Sequence, residues 1–235
     1  MFADVHSHLL SNIDDGAKNE KETAHLLKKM SSQGVTHLAL TPHYYPFQMS
    51  LEDFLKKRED SYKALLSLEE AKEFTFSLGA EVYLTDGVFN NEDLSSLCYE
   101  GTSFMLTEIK QAASFTESLR YLLLRLTQDY SITPVLAHID RYPFLFRNTR
   151  LLIRLREMGC MFQINLDAFE NFFSRERALH LFNLGLLDFL GEDIHCPGKS
   201  REKRKKLLSY LQKRRPEMMK IFCDNAEQLL FLKEK

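Results

Sequence analysis

Apolar positions recur along this chain in two alternating patterns. Short unbroken apolar runs give way to longer stretches in which apolar residues return every three or four positions. The first pattern predicts buried strands and the second amphipathic helices. After a short opening strand, Glu20 to Gln33 carries Ala24, Leu26, Leu27 and Met30 at helical spacing, and Gly34 supplies a stop. The spacing then predicts a strand over 35–41, a helix over 51–72, and a strand over 74–78 running into 79–83. A turn-rich stretch over 85–101 precedes a strand over 104–108, a helix over 116–128 and a strand over 134–138. Helix 151–158, strand 161–165, helix 175–184 and strand 187–191 follow, and two helices, about 200–213 and 217–232, finish the chain. Strands alternating with helices across short connections argue for βα units on a parallel sheet. The expectation is one α/β domain spanning 1–235. About seven alternations suit a barrel better than a doubly wound sheet, although periodicity alone leaves both open. There is no internal repeat, no low-complexity linker, no dinucleotide Gly-x-Gly-x-x-Gly and no phosphate-loop motif.

Composition narrows this only a little. An apolar content of 44% and a charged content of 27% are those of a soluble globular protein. A net charge of −2 gives no global attraction to nucleic acid or to an anionic membrane. The chain opens without a basic segment or an apolar leader, so no signal peptide is expected, and no apolar run is long enough to span a bilayer. Cys98, Cys160, Cys196 and Cys223 are widely spaced, with no Cys-x-x-Cys. Neither a zinc ribbon nor a disulfide framework is indicated, and reduced thiols in a cytoplasmic protein are expected.

The candidate chemistry lies at the strand ends. His6 and His8, one residue apart on extended backbone, point their rings to the same side, where two neutral imidazoles can share an ion. Alone the pair means little. However, His43 follows the second strand, Glu81 the third and Glu108 the fourth; His138 ends the fifth, and Asp193 with His195 follows the last. In a parallel barrel these ends share one face, so ligand-type residues scattered in sequence converge there. Asp15, in the Asp14-Asp15-Gly16-Ala17 turn, is placed to join them, although Asp14 adjoins it and either could serve as a turn cap. Nine candidate ligands are too many for one ion. Histidine nitrogens mixed with carboxylates suit zinc, iron or manganese, with Glu81 the natural bridge between two ions. Such a cluster can activate water and clamp the oxygens of a phosphate ester. His25, His37 and His180 lie elsewhere and are expected to be structural or exposed.

The same residues carry a resemblance. DVHSHLL, the Asp-Asp-Gly-Ala turn, TPHYYP (41–46), GAEVYL (79–84), LAHIDRY (136–142), the late Asp-x-His and the closing Asp224-Asn225-Ala226-Glu227-Gln228-Leu229-Leu230 resemble the PHP (polymerase and histidinol phosphatase) superfamily. More narrowly, they are similar to the bacterial manganese-dependent tyrosine-protein phosphatases of capsule and exopolysaccharide operons. The resemblance implies a distorted (β/α)7 TIM-like barrel with two to three divalent ions, manganese first and iron or zinc as alternatives. It would place one ion on His6, His8, Glu81 and Asp193, a second on Glu81, Glu108 and His138, and a third on Asp15, His43 and His195. Arg141 would hold the phosphate, and a metal-activated hydroxide would attack. The implied substrate is a phosphotyrosine protein, the tail of a bacterial tyrosine kinase, with no nucleic acid partner. A histidinol-phosphatase-like small-molecule enzyme and an inactive binding module of the same fold are the rival readings.

Several features sit beside this scheme. Tyr44 and Tyr45, next to His43, are expected to line a substrate mouth, and Tyr142, Phe144 and Phe146 to belong to the core. Glu192 is expected to add a carboxylate beside the ions. Lys199 and Arg201 are alternative counterparts of a second family arginine. His195-Cys196 followed by Arg201 is one residue short of a cysteine-phosphatase loop and lacks its glycine-rich nest, so it reads as coincidence. The basic stretch 199–215 is expected to be a solvated helix face. The weaker alternative is an electrostatic platform for an acidic tail or a membrane surface.

Overall fold

The computed structural model describes residues 2–195 and 201–230. Cys196 and Lys199 lie outside the described residues, as does the side chain of Arg201. Among the described residues the strands are β1 (Phe2–Asp4), β2 (Val35–Leu40), β3 (His43–Tyr44), β4 (Thr75–Leu78), β5 (Glu81–Tyr83), β6 (Phe104–Glu108), β7 (Thr133–Leu136), β8 (Met161–Asn165) and β9 (Phe189–Gly191). The α-helices are α1 (Glu20–Ser31), α2 (Leu51–Leu66), α3 (Glu117–Gln128), α4 (Pro143–Phe146), α5 (Thr149–Glu157), α6 (Phe172–Asn183), α7 (Arg201–Arg214) and α8 (Pro216–Leu230). All the strand pairings are parallel, in the orders β1-β2-β4 and β3-β5-β6-β7-β8-β9. This is a mixed α/β fold on a parallel sheet.

Two predicted strands are bent. The strand expected over 35–41 ends at Leu40 and resumes at His43 beyond Pro42, which has no N–H to give to a ladder. Its neighbour breaks in step at Gly79-Ala80, and pairing carries across the bend: Gly79 N donates to Leu40 O at 3.0 Å and Glu81 N to Pro42 O at 3.0 Å. Beyond the bend β3 and β5 pair again, with His43 opposite Glu81.

Helix ends follow local chemistry. Asn19, Ser50, Thr116, Asn148 and Asn171 each accept a backbone N–H inside the helix they open. The helix expected over 51–72 stops at Leu66, where the Ser67 hydroxyl turns back to the Ala64 carbonyl, and Glu69–Glu73 forms a separate 3-10 turn. The four-residue helix α4 is too short to give a periodic signal; Pro143 opens it. Leu26, Leu27 and Met30 of α1, Phe54 and Leu65 of α2, and Leu122, Leu123 and Leu126 of α3 are buried, as their spacing predicts. Tyr142 and Phe146 also belong to this core.

The first and last strands meet along a short seam. Ser7 bridges Ile194 in parallel, His8 N donates to Ile194 O at 3.1 Å, and Asp193 N donates to His6 O at 3.0 Å. Below the seam, one oxygen of Asp4 accepts both His6 N (3.2 Å) and Glu192 N (3.0 Å). No described helix is long and apolar enough to cross a membrane.

Candidate metal centre

The seam places the two ends of the chain around one buried carboxylate. Glu81, at the start of β5, is fully buried. Its Oε2 lies 3.0 Å from His6 Nε2, 3.2 Å from His8 Nε2 and 3.2 Å from His43 Nδ1, while Oε1 lies 2.8 Å from His138 Nε2. Asp193 Oδ1 closes the group at 3.5 Å from His6 Nε2, 3.4 Å from His8 Nε2 and 3.3 Å from His195 Nδ1. Asp15, whose side chain is 73% exposed, reaches His195 Nε2 at 3.1 Å and His43 Nε2 at 3.6 Å. Glu108 faces His43 Nδ1 at 3.7 Å. All nine sequence-identified residues therefore gather at one end of the sheet.

The donor atoms fall into three overlapping groups, each compact enough to surround an ion: His6, His8, Glu81 and Asp193; His8, Asp15, His43 and His195; and His43, Glu81 and Glu108. The first matches the set that the resemblance implies. The second contains the implied Asp15, His43 and His195 and adds His8. In the third, His43 stands with Glu81 and Glu108 where His138 was expected; His138 instead bonds the other oxygen of Glu81. His43 Nδ1, Glu108 Oε2 and Asp193 Oδ1 are buried without a hydrogen bond among the described residues. Unpaired buried acceptors are costly, and divalent cations held in the groups these residues belong to would satisfy them. The donor set fits such ions.

The electrostatics reflect this crowding. Burial pushes the Glu81 carboxyl up, but His6, His138 and His8 outweigh it and hold it well below the ordinary carboxylate range. Glu108 has less help: burial, and then the charge of Glu81, push it up to about 7. Burial brings His43 down to about 4, so its ring is neutral and available as a ligand. Two of the four described non-glycine residues with left-handed backbone lie in this cluster. His138 (φ 34°) and Asp193 (φ 49°) both adopt left-handed backbone, which side chains with a Cβ seldom take up.

A shell of hydrogen bonds orients these side chains, and sequence reasoning missed it. Asp14, seen only as a turn residue, accepts from His8 Nδ1 at 2.7 Å, Gly16 N at 2.9 Å and His43 N at 2.9 Å. Its carboxyl sits at about 2, because these donors overcome the effect of burial. Gln163 Oε1 accepts from His138 N at 2.6 Å and from His6 Nδ1 at 3.2 Å. Gln163 Nε2 donates to Asn165 Oδ1, and Asn165 Nδ2 donates to Asp193 Oδ2 at 3.1 Å. Bonds of this kind fix the tautomer and orientation of a ligating histidine. Two glycines let the backbone close in. A Cβ on Gly16 would sit 2.2 Å from His8 O, and one on Gly191 would sit 2.8 Å from Gln163 Nε2 and 2.9 Å from His6 Cβ.

Three expectations need correction. Tyr44 does not line the mouth: it is 1% exposed and packs on Phe54, because strand alternation turns it away from His43. Tyr45 does face the site, with its ring 5.0 Å from that of His43, and Tyr83 and the exposed Phe47 adjoin it at 5.6 Å each. Glu192 does not join the ligands. It is buried on the opposite side of the chain from Asp193 and pairs with Arg204 Nη1 at 3.2 Å. Arg204 also pairs with Asp167 at 3.1 Å, so the basic stretch is not uniformly solvated. Arg141, about half exposed, sets its Nη2 2.5 Å from Asp193 Oδ2 at the rim.

The chain is similar to several known proteins. The family described as "Capsular polysaccharide synthesis, CpsB/CapC" matches residues 2–231. Tyrosine-protein phosphatase CpsB of Streptococcus pneumoniae is 29% identical over 210 residues, covering 82% of this chain and 82% of that protein. Tyrosine-protein phosphatase YwqE of Bacillus subtilis is 25% identical over 237 residues, covering 97% and 91%. One of the crystal structures of YwqE and of S. pneumoniae CpsB, metal-dependent tyrosine phosphatases, superposes with a TM-score of 0.79 at 23% identity, covering 97% of this chain and 94% of that one. A TatD-family hydrolase from Entamoeba histolytica shares the fold more distantly, with a TM-score of 0.54.

Proposed function

Because this chain belongs to the CpsB/CapC family of capsular polysaccharide synthesis, we propose that it is a metal-dependent protein-tyrosine phosphatase. It removes phosphate from phosphotyrosine in the tail of a bacterial tyrosine kinase. The observation that carries this reading is the convergence of His6, His8, His43 and His138 on the single buried carboxylate of Glu81. Taking β2 with β3 and β4 with β5 as two bent strands, and the 6–8/193–194 seam as closure, we read the fold as a single-domain distorted (β/α)7 barrel.

In this reading the first ion takes His6, His8, Glu81 and Asp193. The second takes Glu81 and Glu108 with His43 or His138, and the third takes Asp15 and His195 with His43. Mixed imidazole and carboxylate donors suit manganese, with iron or zinc as alternatives. When bound, such ions supply Lewis acidity that lowers the pKa of a coordinated water and neutralises phosphoryl oxygens. The chain's own residues do the rest. Asp14 and Gln163 accept from the far nitrogens of His8 and His6, leaving both Nε2 lone pairs aimed inward. Arg141 holds Asp193 with one nitrogen, and the rest of its planar fork is open to phosphate oxygens. The Tyr45 ring, flanked by Phe47 and Tyr83, offers an aromatic face to the substrate ring. A phenolate leaving group (pKa about 10) departs without strong general-acid help. Buried thiols at Cys98 and Cys160, with no disulfide among the described residues, suit the cytoplasm.

The test is substrate preference. The purified, manganese-loaded protein is expected to hydrolyse a phosphotyrosine peptide with much higher kcat/KM than histidinol phosphate. The reverse order would overturn the proposal and favour a small-molecule phosphatase.

A further inference from the structure

The α6–α7 face is unlike the rest of the surface. Phe172 and Phe173 open α6 with their rings edge to face, 61% and 84% exposed. Two adjacent phenyl rings in water represent apolar area that a folded protein normally covers. Arg175, one turn on, lies 5.9 Å from the Phe172 ring and 5.7 Å from the ring of Tyr210, itself an exposed residue midway along α7. The aromatic pair and the basic helix therefore form one continuous surface. Helical spacing places Lys206, Lys213 and Arg214 on the Tyr210 side of α7. Residues 172–183 and 204–215 together hold eight Lys and Arg against one acid, Glu176, in a protein whose net charge is −2.

Of these cations, Arg204 is engaged by Glu192 and Asp167, and Arg177 donates to the Phe146 carbonyl. Lys213, Arg214 and Arg215 are exposed. A cationic helix beside solvent-facing aromatic rings is the surface that interfacial proteins present to anionic bilayers: the cations meet headgroups and the rings enter the acyl boundary. An acidic peptide would be served by the cations alone and would leave Phe172 and Phe173 in water.

We propose that the α6–α7 face, with Phe172 and Phe173 as insertion anchors and Tyr210, Lys213 and Arg214 alongside, docks this protein on an anionic lipid bilayer. The face adjoins the metal centre's end of the sheet, since α6 follows β8, whose Asn165 bonds Asp193. Docking would therefore hold the centre close to the bilayer.

Co-sedimentation of the full chain with vesicles tests this. Binding is expected to phosphatidylcholine vesicles containing phosphatidylglycerol and not to phosphatidylcholine alone, and it should weaken with salt. Phe172→Ser with Phe173→Ser should lower vesicle affinity at least about tenfold. Lys213→Gln with Arg214→Gln should lower it about fivefold per cation removed. Both double variants should turn over a soluble aryl phosphate as the unaltered protein does, which shows that they fold. Absence of binding to the anionic vesicles, or binding undiminished in both variants, would overturn the proposal. So would capture of polyglutamate without capture of vesicles.

Discussion

Gln163 offers the sharpest test of the metal centre, because it touches no proposed ion yet holds three ligands. Its Oε1 takes the His138 N–H and the His6 Nδ1 proton, and its amide steers Asn165 onto Asp193. Gln163→Leu keeps the volume and removes both functions. The two donors it leaves are buried, and each unpaired donor costs about 1–3 kcal/mol. The metal-free variant should therefore lose about 2–6 kcal/mol of stability, a fall in Tm of roughly 5–20 °C for a chain of this size. Freed from Gln163, the His6 ring can rotate or switch tautomer, and loss of such an outer bond weakens metal binding about 10–100-fold. That is about 1.4–2.7 kcal/mol per ion. Gln163→Glu, which still accepts from His138 and His6 but cannot donate to Asn165, should fall between the two. Manganese titration by calorimetry and thermal melts with and without chelator read both quantities. If Gln163→Leu bound manganese as tightly as the unaltered protein, the orienting role would be refuted, whatever the melting temperature did.

Three further outcomes follow. Chelation should abolish phosphatase activity, whereas thiol alkylation at neutral pH should not, since burial pushes Cys98 and Cys160 up to about 12 and keeps them as unreactive thiols; loss of activity both on alkylation and in Cys196→Ser would instead make Cys196 the nucleophile. Burial, and then the neighbouring Glu192, push Asp4 up to about 7. Between the ordinary carboxylate range and that value the folded chain keeps a proton that the unfolded chain has released, so Asp4 subtracts stability as pH rises through this window. Asp4→Asn should flatten that part of the Tm-versus-pH curve of the metal-free protein, and an unchanged slope would count against the assignment. Finally, Gly191→Ala would press a methyl group into Gln163 and His6, so manganese affinity should drop at least about tenfold, comparable to loss of an outer-shell bond; titration of that variant reads the effect.

The convergence of the candidate ligands was legible in the sequence because the rule that finds it is geometric: strand ends of a parallel sheet share a face, whatever their separation in the chain. The same rule could have reached Gln163 and Asn165, two amides at alternate positions near the end of an otherwise apolar strand. Nothing marked them, because amides are ordinary at strand ends. Alternation also settles Tyr44 against Tyr45 and Glu192 against Asp193, since one neighbour of each pair must face away from the site. The choice between Asp14 and Asp15 had no such guide. Their turn has no period to say which carboxylate bonds His8 and which reaches His195. His43 stands beside Glu108 where His138 was expected, and no hydrophobic pattern encodes that choice.

The seam between the first and last strands also sets a clock. Asp4 and Glu192, which it joins, are 188 residues apart. At a synthesis rate of about 5–20 residues per second, the opening strand waits roughly 10–40 s on the ribosome before its partner has been made. Until then the sites that His6 and His8 share lack Asp193 and His195. Ions held by both ends would act as a rivet across the last join to form, so metal supply should govern how much of the newborn protein reaches its closed state.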